Sequence, residues 1–123
     1  MKSSNYRSHA TKIKVVGIGG AGGNAVNRMS NCQIRGVELA AINCDAQDLQ
    51  KIKADQKLRI GKVLTQGLGA GMNPEVGRMG ALESKEEITR LLQGTDMVFI
   101  TAGLGGGTGT GAAPVVAEIA KSL

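Results

Sequence analysis

A glycine-rich run between two apolar segments constrains this 123-residue chain more than any other feature. Six of the nine residues from Gly103 to Gly111 are glycine. Residues 97–100 before the run have the pattern of a strand, and residues 112–123 after it have the pattern of a helix. Glycine costs backbone entropy, so the run indicates left-handed dihedrals or a ligand held against the main chain. Because successive N–H groups and a helix N-terminus attract anions, the run predicts a phosphate site rather than a flexible linker.

The composition fits a globular α/β chain whose core lacks bulky aromatic residues. The chain is 41% hydrophobic and has 19 glycines, one Tyr, one Phe and no Trp, so Val, Ile, Leu, Met and Ala must form the core. No apolar run approaches the ~18 residues of a membrane span, and no secretory signal is present. We therefore expect a cytoplasmic chain that does not insert into a membrane. Cys32 and Cys44 lack metal-binding spacing, and we expect both to be reduced and buried.

The whole chain has a net charge of +5, and five of its 15 Lys and Arg residues fall in one short stretch. The basic residues of this stretch are Lys51, Lys53, Lys57, Arg59 and Lys62. Since no aromatic side chain stands among them for base stacking, we interpret the stretch as a solvated surface and predict no nucleic-acid partner.

Strand patterns and helix patterns alternate along the chain. Strands are predicted over 12–18, 37–42, 58–60 and 97–102, and helices over 25–29, 46–51, 74–93 and 112–123. Residues 1–11 are polar and are predicted to form a disordered arm. The alternation predicts a Rossmann-like, doubly wound parallel sheet of the α/β class, in which the apolar last strand is central and buried on both faces. Four strands are about half of such a sheet, so we expect this chain to be part of a longer one.

Local signals refine the later helices. Asn73 is predicted to cap a helix that has Pro74 at its first position and Glu75 in its first turn. The capping-box pattern that starts at Ser84 predicts a break in this helix. Pro114 is expected in the first turn of the last helix. The inner side of that helix is predicted to hold Val115, Val116, Ile119, Ala120 and Leu123.

A second glycine motif, G-x-G-x-x-G at residues 17–22, stands between the first strand and the first helix. Asp45 follows about 20 residues later, where an acidic side chain can bind a ribose hydroxyl. Taken alone, the motif and Asp45 favour a dinucleotide-binding half-domain of an oxidoreductase. A pyrophosphate held there would not require the run at residues 103–111, whereas two facing glycine loops suit a triphosphate. Neither loop is followed by the Gly-Lys-Ser/Thr of a Walker P-loop, so backbone N–H groups, helix ends and Mg²⁺ must offset the phosphate charge. The polar residues near the first loop that could bind Mg²⁺ or water are Asp45, Gln47 and Asp48. We assign no metal site.

Four ordered motifs, at residues 19–24, 43–47, 67–78 and 103–111, together resemble the tubulin/FtsZ family of GTPases. The resemblance runs from residue 12 to residue 123. It implies a GTP-binding, filament-forming GTPase of bacterial cell division that polymerises head to tail at the division site. It also implies GTP or GDP as the bound nucleotide, and membrane-anchoring and regulatory division proteins as further partners.

The resemblance assigns roles to residues of this sequence. The first loop would hold the inner phosphates, Asn43 and Asp45 would lie by the ribose and phosphates, and Ala70 and Gly71 would approach the γ-phosphate. The last loop would wrap the phosphates, and Arg78 would lie near the contact between subunits. The implied nucleotide-binding residues are Gly20, Ala21, Gly22, Gly23, Asn24, Asn43, Asp45, Ala70, Gly71, Gly103, Gly105, Gly106, Gly107, Thr108, Gly109 and Thr110.

The resemblance also implies that the contacts to guanine and the hydrolysis-driving loop come from segments after residue 123. We therefore assign no catalytic residue within this chain and expect it to hydrolyse almost no GTP by itself. Two alternatives remain beside the filament-forming GTPase. One is the oxidoreductase half-domain, and the other is a non-catalytic fragment that binds nucleotide or caps filament ends.

Overall fold

The computed structural model of the chain describes residues 11–32, 34–71, 73–103 and 106–123. Apart from Thr11, the predicted N-terminal arm lies outside the described residues, and so does Gly105 of the predicted phosphate loop. The elements in chain order are β1 (Ile13–Ile18), α1 (Gly19–Met29), β2 (Val37–Asn43), α2 (Ala46–Gln50), β3 (Gln56–Arg59), α3 (Lys62–Thr65), α4 (Pro74–Glu83), α5 (Lys85–Leu92), β4 (Met97–Ala102) and α6 (Gly107–Ser122).

The four strands form one sheet in the order β3-β2-β1-β4, and every neighbouring pair is parallel. Ile18 at the end of β1 is opposite Ile42 of β2 on one side and Ala102 of β4 on the other. The segments that follow these three strands therefore leave from the same edge of the sheet. The predicted α/β class with a parallel sheet is confirmed.

Helices cover both faces of the sheet. One core cluster joins Val16 and Ile18 of β1 to Ala81 of α4, Ile88 of α5 and Val116 of α6. A smaller cluster on the other face joins β1 and β2 to α1 and α2, through Val15, Leu39, Val26 and Leu49. Each fully buried aliphatic side chain contributes about 1.5–3 kcal/mol, so these clusters fix the two helical layers on the sheet. Among the described residues, no helix is both long and apolar enough to cross a membrane.

Strand β4 differs from the prediction of a central strand buried on both faces. It is at the edge of the described sheet, and Met97 and Phe99 are 50% and 54% exposed. Val98 and Ile100, which point to the opposite face, pack against the larger core cluster. A continuous apolar strand is typical of a central position, but the pattern alone does not say which strands pair with it.

Helices α1 and α6 begin inside the glycine runs, earlier than the predicted starts at residues 25 and 112. As a result, Pro114 lies in the interior of α6 rather than in its first turn, and that prediction is wrong. Val115, Val116 and Ile119 are buried as predicted, whereas Leu123 is 59% exposed. The glycines are helical because of their packing against other segments, and the helix propensity of individual residues does not predict such packing.

The predicted break at Ser84 is confirmed, because α4 ends at Glu83 and α5 begins at Lys85. Its predicted cause is wrong, since Ser84 makes no side-chain capping bond to α5. The buried Ser84 hydroxyl instead accepts a hydrogen bond from the backbone N–H of Gly61, at 3.2 Å. The residue thus ties the α4–α5 junction to the segment that follows β3.

Candidate functional site

The two glycine runs meet at the carboxyl edge of the sheet. A Cβ built on Gly19 would lie 2.8 Å from the backbone nitrogen of Gly109, and one built on Gly103 would lie 2.5 Å from Ala21 Cβ. Gly19 itself has φ +77°, a left-handed conformation that favours glycine. The first turns of α1 and α6 are therefore neighbours in space, although they begin at Gly19 and Gly107, far apart in the chain.

The N-termini of α1 and α6 carry no side-chain cap. Their N-cap residues are Ile18 and Gly106, and neither side chain accepts a bond from the first turn. Two other helices, α2 and α4, are capped by side-chain oxygens, whereas α3 and α5 also have no side-chain cap. Asp45 accepts from two N–H groups of α2, and Asn73 accepts from Glu75 N of α4. The first N–H groups of an uncapped helix need another partner, and an anion can supply it.

The third predicted loop approaches the same place. A Cβ on Gly107 would lie 2.8 Å from Ala70 Cβ and 2.7 Å from the backbone nitrogen of Asn73. On the other side of the loop, the Asp45 carboxylate lies 3.4 Å from the built Cβ of Gly69. The loop before α4 therefore bridges the end of β2 and the start of α6.

The predicted nucleotide-binding residues divide into two groups by exposure. The exposed and half-buried residues, which a ligand can reach, are Gly20, Ala21, Asn24, Asp45, Ala70, Gly71, Gly103, Gly106 and Thr110. The buried residues are Gly22, Gly23, Asn43, Gly107, Thr108 and Gly109. Close packing explains two of the buried glycines, because a Cβ on Gly22 would overlap the Thr101 carbonyl oxygen and one on Gly109 would lie 3.1 Å from the Ile18 carbonyl oxygen.

Thr108, in the first turn of α6, is only 6% exposed. Burial raises the pKa of the Cys44 thiol, while the Thr108 hydroxyl acts in the opposite direction. The expectation that both cysteines are buried holds for Cys44, but Cys32 is exposed.

The acidic side chains at this edge do not form a metal site by themselves. Within the described ranges, no three His, Cys, Asp or Glu residues are grouped closely enough to hold a metal ion. One oxygen of Asp45 already accepts from Gln47 N at 2.9 Å and from Asp48 N at 3.2 Å. Mg²⁺ keeps several waters and is often held by one or two carboxylates with substrate phosphates. The carboxylates of Asp45 and Asp48 therefore fit a Mg²⁺ ion that a phosphate ligand also binds.

Sequence reasoning misses two features of the site. From helix propensity alone, Gly77 is expected only to weaken α4. In the structure, a Cβ at this position would overlap the Gly107 carbonyl oxygen, so the glycine allows α4 to pack on α6. Lys51 lies on a cleft beside Gly20 and Asn24, although no lysine follows either glycine loop in the sequence. Spacing along one segment could not indicate Lys51, because a different helix brings it to the cleft.

A larger cavity of about 570 Å³ lies away from this edge. It is lined by Met29 at the end of α1, Val37 at the start of β2, and Lys53 after α2. No helix begins there, so it lacks the converging N–H groups of the carboxyl edge. Size therefore does not identify the anion site in this chain.

Comparison with known proteins agrees with this geometry. Residues 12–123 match the model of the Tubulin/FtsZ family, GTPase domain. The chain is 62% identical over 112 residues to cell division protein FtsZ 1 of Thermococcus kodakarensis, covering 91% of this chain and 30% of that protein. It is 61% identical over 111 residues to cell division protein FtsZ of Azotobacter vinelandii, covering 90% of this chain and 28% of that protein.

Solved structures give the same result. An empty FtsZ dimer from M. jannaschii matches with a TM-score of 0.92 and 55% identity, over 98% of this chain and 35% of that chain. CetZ2 of Haloferax volcanii, a GTPγS-bound protofilament, matches with a TM-score of 0.76 and 29% identity, over 92% of this chain and 36% of that chain. The chain thus spans about a third of the length of these relatives. From the family match over residues 12–123, we conclude that this chain belongs to the Tubulin/FtsZ family and represents part of its GTPase domain.

Proposed function

We propose that the protein containing this chain is a GTP-binding, filament-forming GTPase of cell division, and that this chain supplies its phosphate-binding part. The observation that carries the proposal is the convergence of two uncapped helix N-termini, those of α1 and α6, at one edge of the sheet. Two positive helix ends that face one space favour a ligand with several adjacent negative charges. A nucleoside triphosphate has that charge distribution.

The backbone does most of the binding in this proposal. The N–H groups at the start of α1 hold the inner phosphates, and those at the start of α6 hold the outer phosphates, together with Thr110. Ala70 and Gly71, on the loop packed against Gly107, approach the γ-phosphate. Asp45 and Asp48 are the residues that would hold a Mg²⁺ ion bound with the nucleotide, and the ion would offset phosphate charge.

Hydrolysis requires groups that we do not assign to these residues. Filament assembly supplies them in the proposal, because a neighbouring subunit would contact the nucleotide. The dimer and protofilament structures among the relatives support assembly as the context of activity. Arg78, which forms an exposed pair with Glu75 at 3.1 Å, would lie near that subunit contact. Membrane-anchoring and regulatory division proteins would bind the filament in the cytoplasm, at the division site.

The dinucleotide-binding alternative depends on the first glycine motif alone. It leaves the uncapped N-terminus of α6 without a role, and the family match is to GTPases. We therefore do not retain the oxidoreductase as a second candidate. A fragment that caps filament ends has no separate observation in its favour.

Calorimetric titration of the full-length protein with GTP, GDP, ATP and NADH tests the proposed ligand. We expect GTP and GDP to bind at least about tenfold more tightly than ATP, a difference of about 1.4 kcal/mol, and NADH not to bind. Light scattering after addition of GTP and Mg²⁺ then tests assembly, and phosphate release should follow assembly. Tight binding of NADH without any scattering change would contradict the proposal.

A further inference from the structure

A cleft of about 80 Å³ lies between α1 and α2, next to the uncapped N-terminus of α1. Its walls include Gly20, Asn24, Asn43, Asp48 and Lys51. Gly20, Asn24 and Asn43 are neutral, and all three are among the predicted nucleotide-binding residues. Asp48 and Lys51 are the two charged residues that the described part of the chain places on its walls. We call it the α1–α2 cleft.

The Asp48 side chain places a negative charge on the wall of the α1–α2 cleft. The carboxylate of Asp48 lies 3.9 Å from the built Cβ of Gly20, in the first turn of α1. A negative charge at that distance opposes phosphate binding at the same helix end. Among the described side chains on the cleft walls, Lys51 carries the positive charge that can offset it.

The charge of Lys51 is not used elsewhere in the described part of the chain. Lys14 and Lys62 form ion pairs with Glu38 and Glu87, at 3.5 Å and 3.6 Å. The ammonium group of Lys57 donates to the carbonyl oxygen of Leu49 at 3.0 Å. Lys51, by contrast, forms no ion pair with any described residue, and it is exposed. Its side chain can therefore turn toward an anion in the cleft without breaking an ion pair to a described residue.

We propose that Lys51 is a phosphate-binding residue of the nucleotide site, supplied by the C-terminal end of α2 rather than by either glycine loop. The inference rests on the proposed function, because it assumes that the nucleotide phosphates bind beside the first turn of α1. Lys51 binds through charge rather than through a fixed hydrogen-bond geometry, as a flexible ammonium group does. Its contribution is expected to depend on ionic strength.

The test compares Lys51→Gln, Lys51→Arg and Lys53→Gln in the full-length protein. Lys53 is the matched control, since it is two residues further on and lines a different cavity. In about 50 mM KCl we expect Lys51→Gln to weaken GTP binding about fivefold, the upper range for a solvent-exposed charge pair. In about 500 mM KCl the difference should fall below about twofold, because salt screens exposed charges. The Lys51→Arg and Lys53→Gln variants should both bind GTP with the affinity of the wild type.

Three results would overturn the assignment while leaving the proposed function intact. The first is wild-type GTP affinity in Lys51→Gln at low salt. The second is a loss of affinity that high salt does not reduce, which would indicate a structural defect. The third is an equal loss in Lys53→Gln, which would indicate a general effect of surface charge. A wild-type protein that does not bind GTP would instead refute the proposed function, and this assignment with it.

Discussion

The contact between α4 and α6 gives the sharpest prediction for a single substitution. A Cβ built on Gly111 would overlap the carbonyl oxygen of Pro74 and would lie 2.7 Å from the backbone nitrogen of Arg78. Both atoms belong to the backbone of α4, so no flexible side chain can move aside. We predict that Gly111→Ala forces the two helices apart.

The magnitude follows from two opposing effects. Adding a methyl group to a tightly packed contact usually costs about 1–3 kcal/mol, and a backbone clash belongs at the upper end or above it. Alanine in a helix interior returns about 1 kcal/mol relative to glycine. The free energy of unfolding should therefore fall by about 2–3 kcal/mol. GTP affinity should also fall, because α4 begins directly after the loop that carries Ala70 and Gly71.

Urea unfolding of the full-length protein, followed by circular dichroism, measures the stability change. Gly23→Ala is the matched control, since Gly23 lies in a helix and its built Cβ meets the flexible tip of Ile52 at 3.4 Å. That variant should be as stable as the wild type or up to about 1 kcal/mol more stable. If Gly111→Ala and Gly23→Ala have the same free energy of unfolding, the close helix contact does not exist and the reasoning is refuted.

Substitutions at three further residues test other parts of the fold. Lys14→Met should lower the free energy of unfolding by about 1–3 kcal/mol, because the buried Lys14 ammonium donates to the Leu91 carbonyl oxygen; an unchanged urea midpoint would contradict this. Asn73→Ala should cost about 1 kcal/mol by removing the α4 cap, whereas Asn73→Asp should restore most of it. Burial raises the pKa of the Cys44 thiol above its usual value of about 8.5, so the unfolded chain loses this proton first as pH rises. Stability should therefore fall as the pH rises above about 8.5. Cys44→Ala should reduce that alkaline loss in urea titrations between about pH 8 and pH 10, and an identical loss would exclude Cys44 as its source.

The sequence predicts the fold well where one segment determines its own structure. Strand β4 begins and ends where the apolar pattern does, and Asn73 caps α4 as its spacing with Pro74 and Glu75 predicts. The alternating segments predict a parallel sheet because parallel strands need crossover connections. Convergence of the glycine runs at one edge follows from that topology.

Prediction fails where distant segments decide the outcome. The start of α6 inside its glycine run depends on packing against α4, and the partner of Ser84 is Gly61, which is 23 residues away. The sequence pattern does not separate glycines that face a ligand from glycines that pack, such as Gly22 and Gly77. The basic neighbours of Lys51 in the sequence indicate a solvated surface, whereas its neighbours in space are the walls of the α1–α2 cleft.

The central claim is that the N-termini of α1 and α6 bind one polyphosphate from two sides. A structure of the full-length protein with a non-hydrolysable GTP analogue tests it most directly. The account predicts phosphate oxygens within about 3.2 Å of backbone nitrogens in the first turns of both helices. A nucleotide whose phosphates contact only one of these helix ends, or neither, would contradict it.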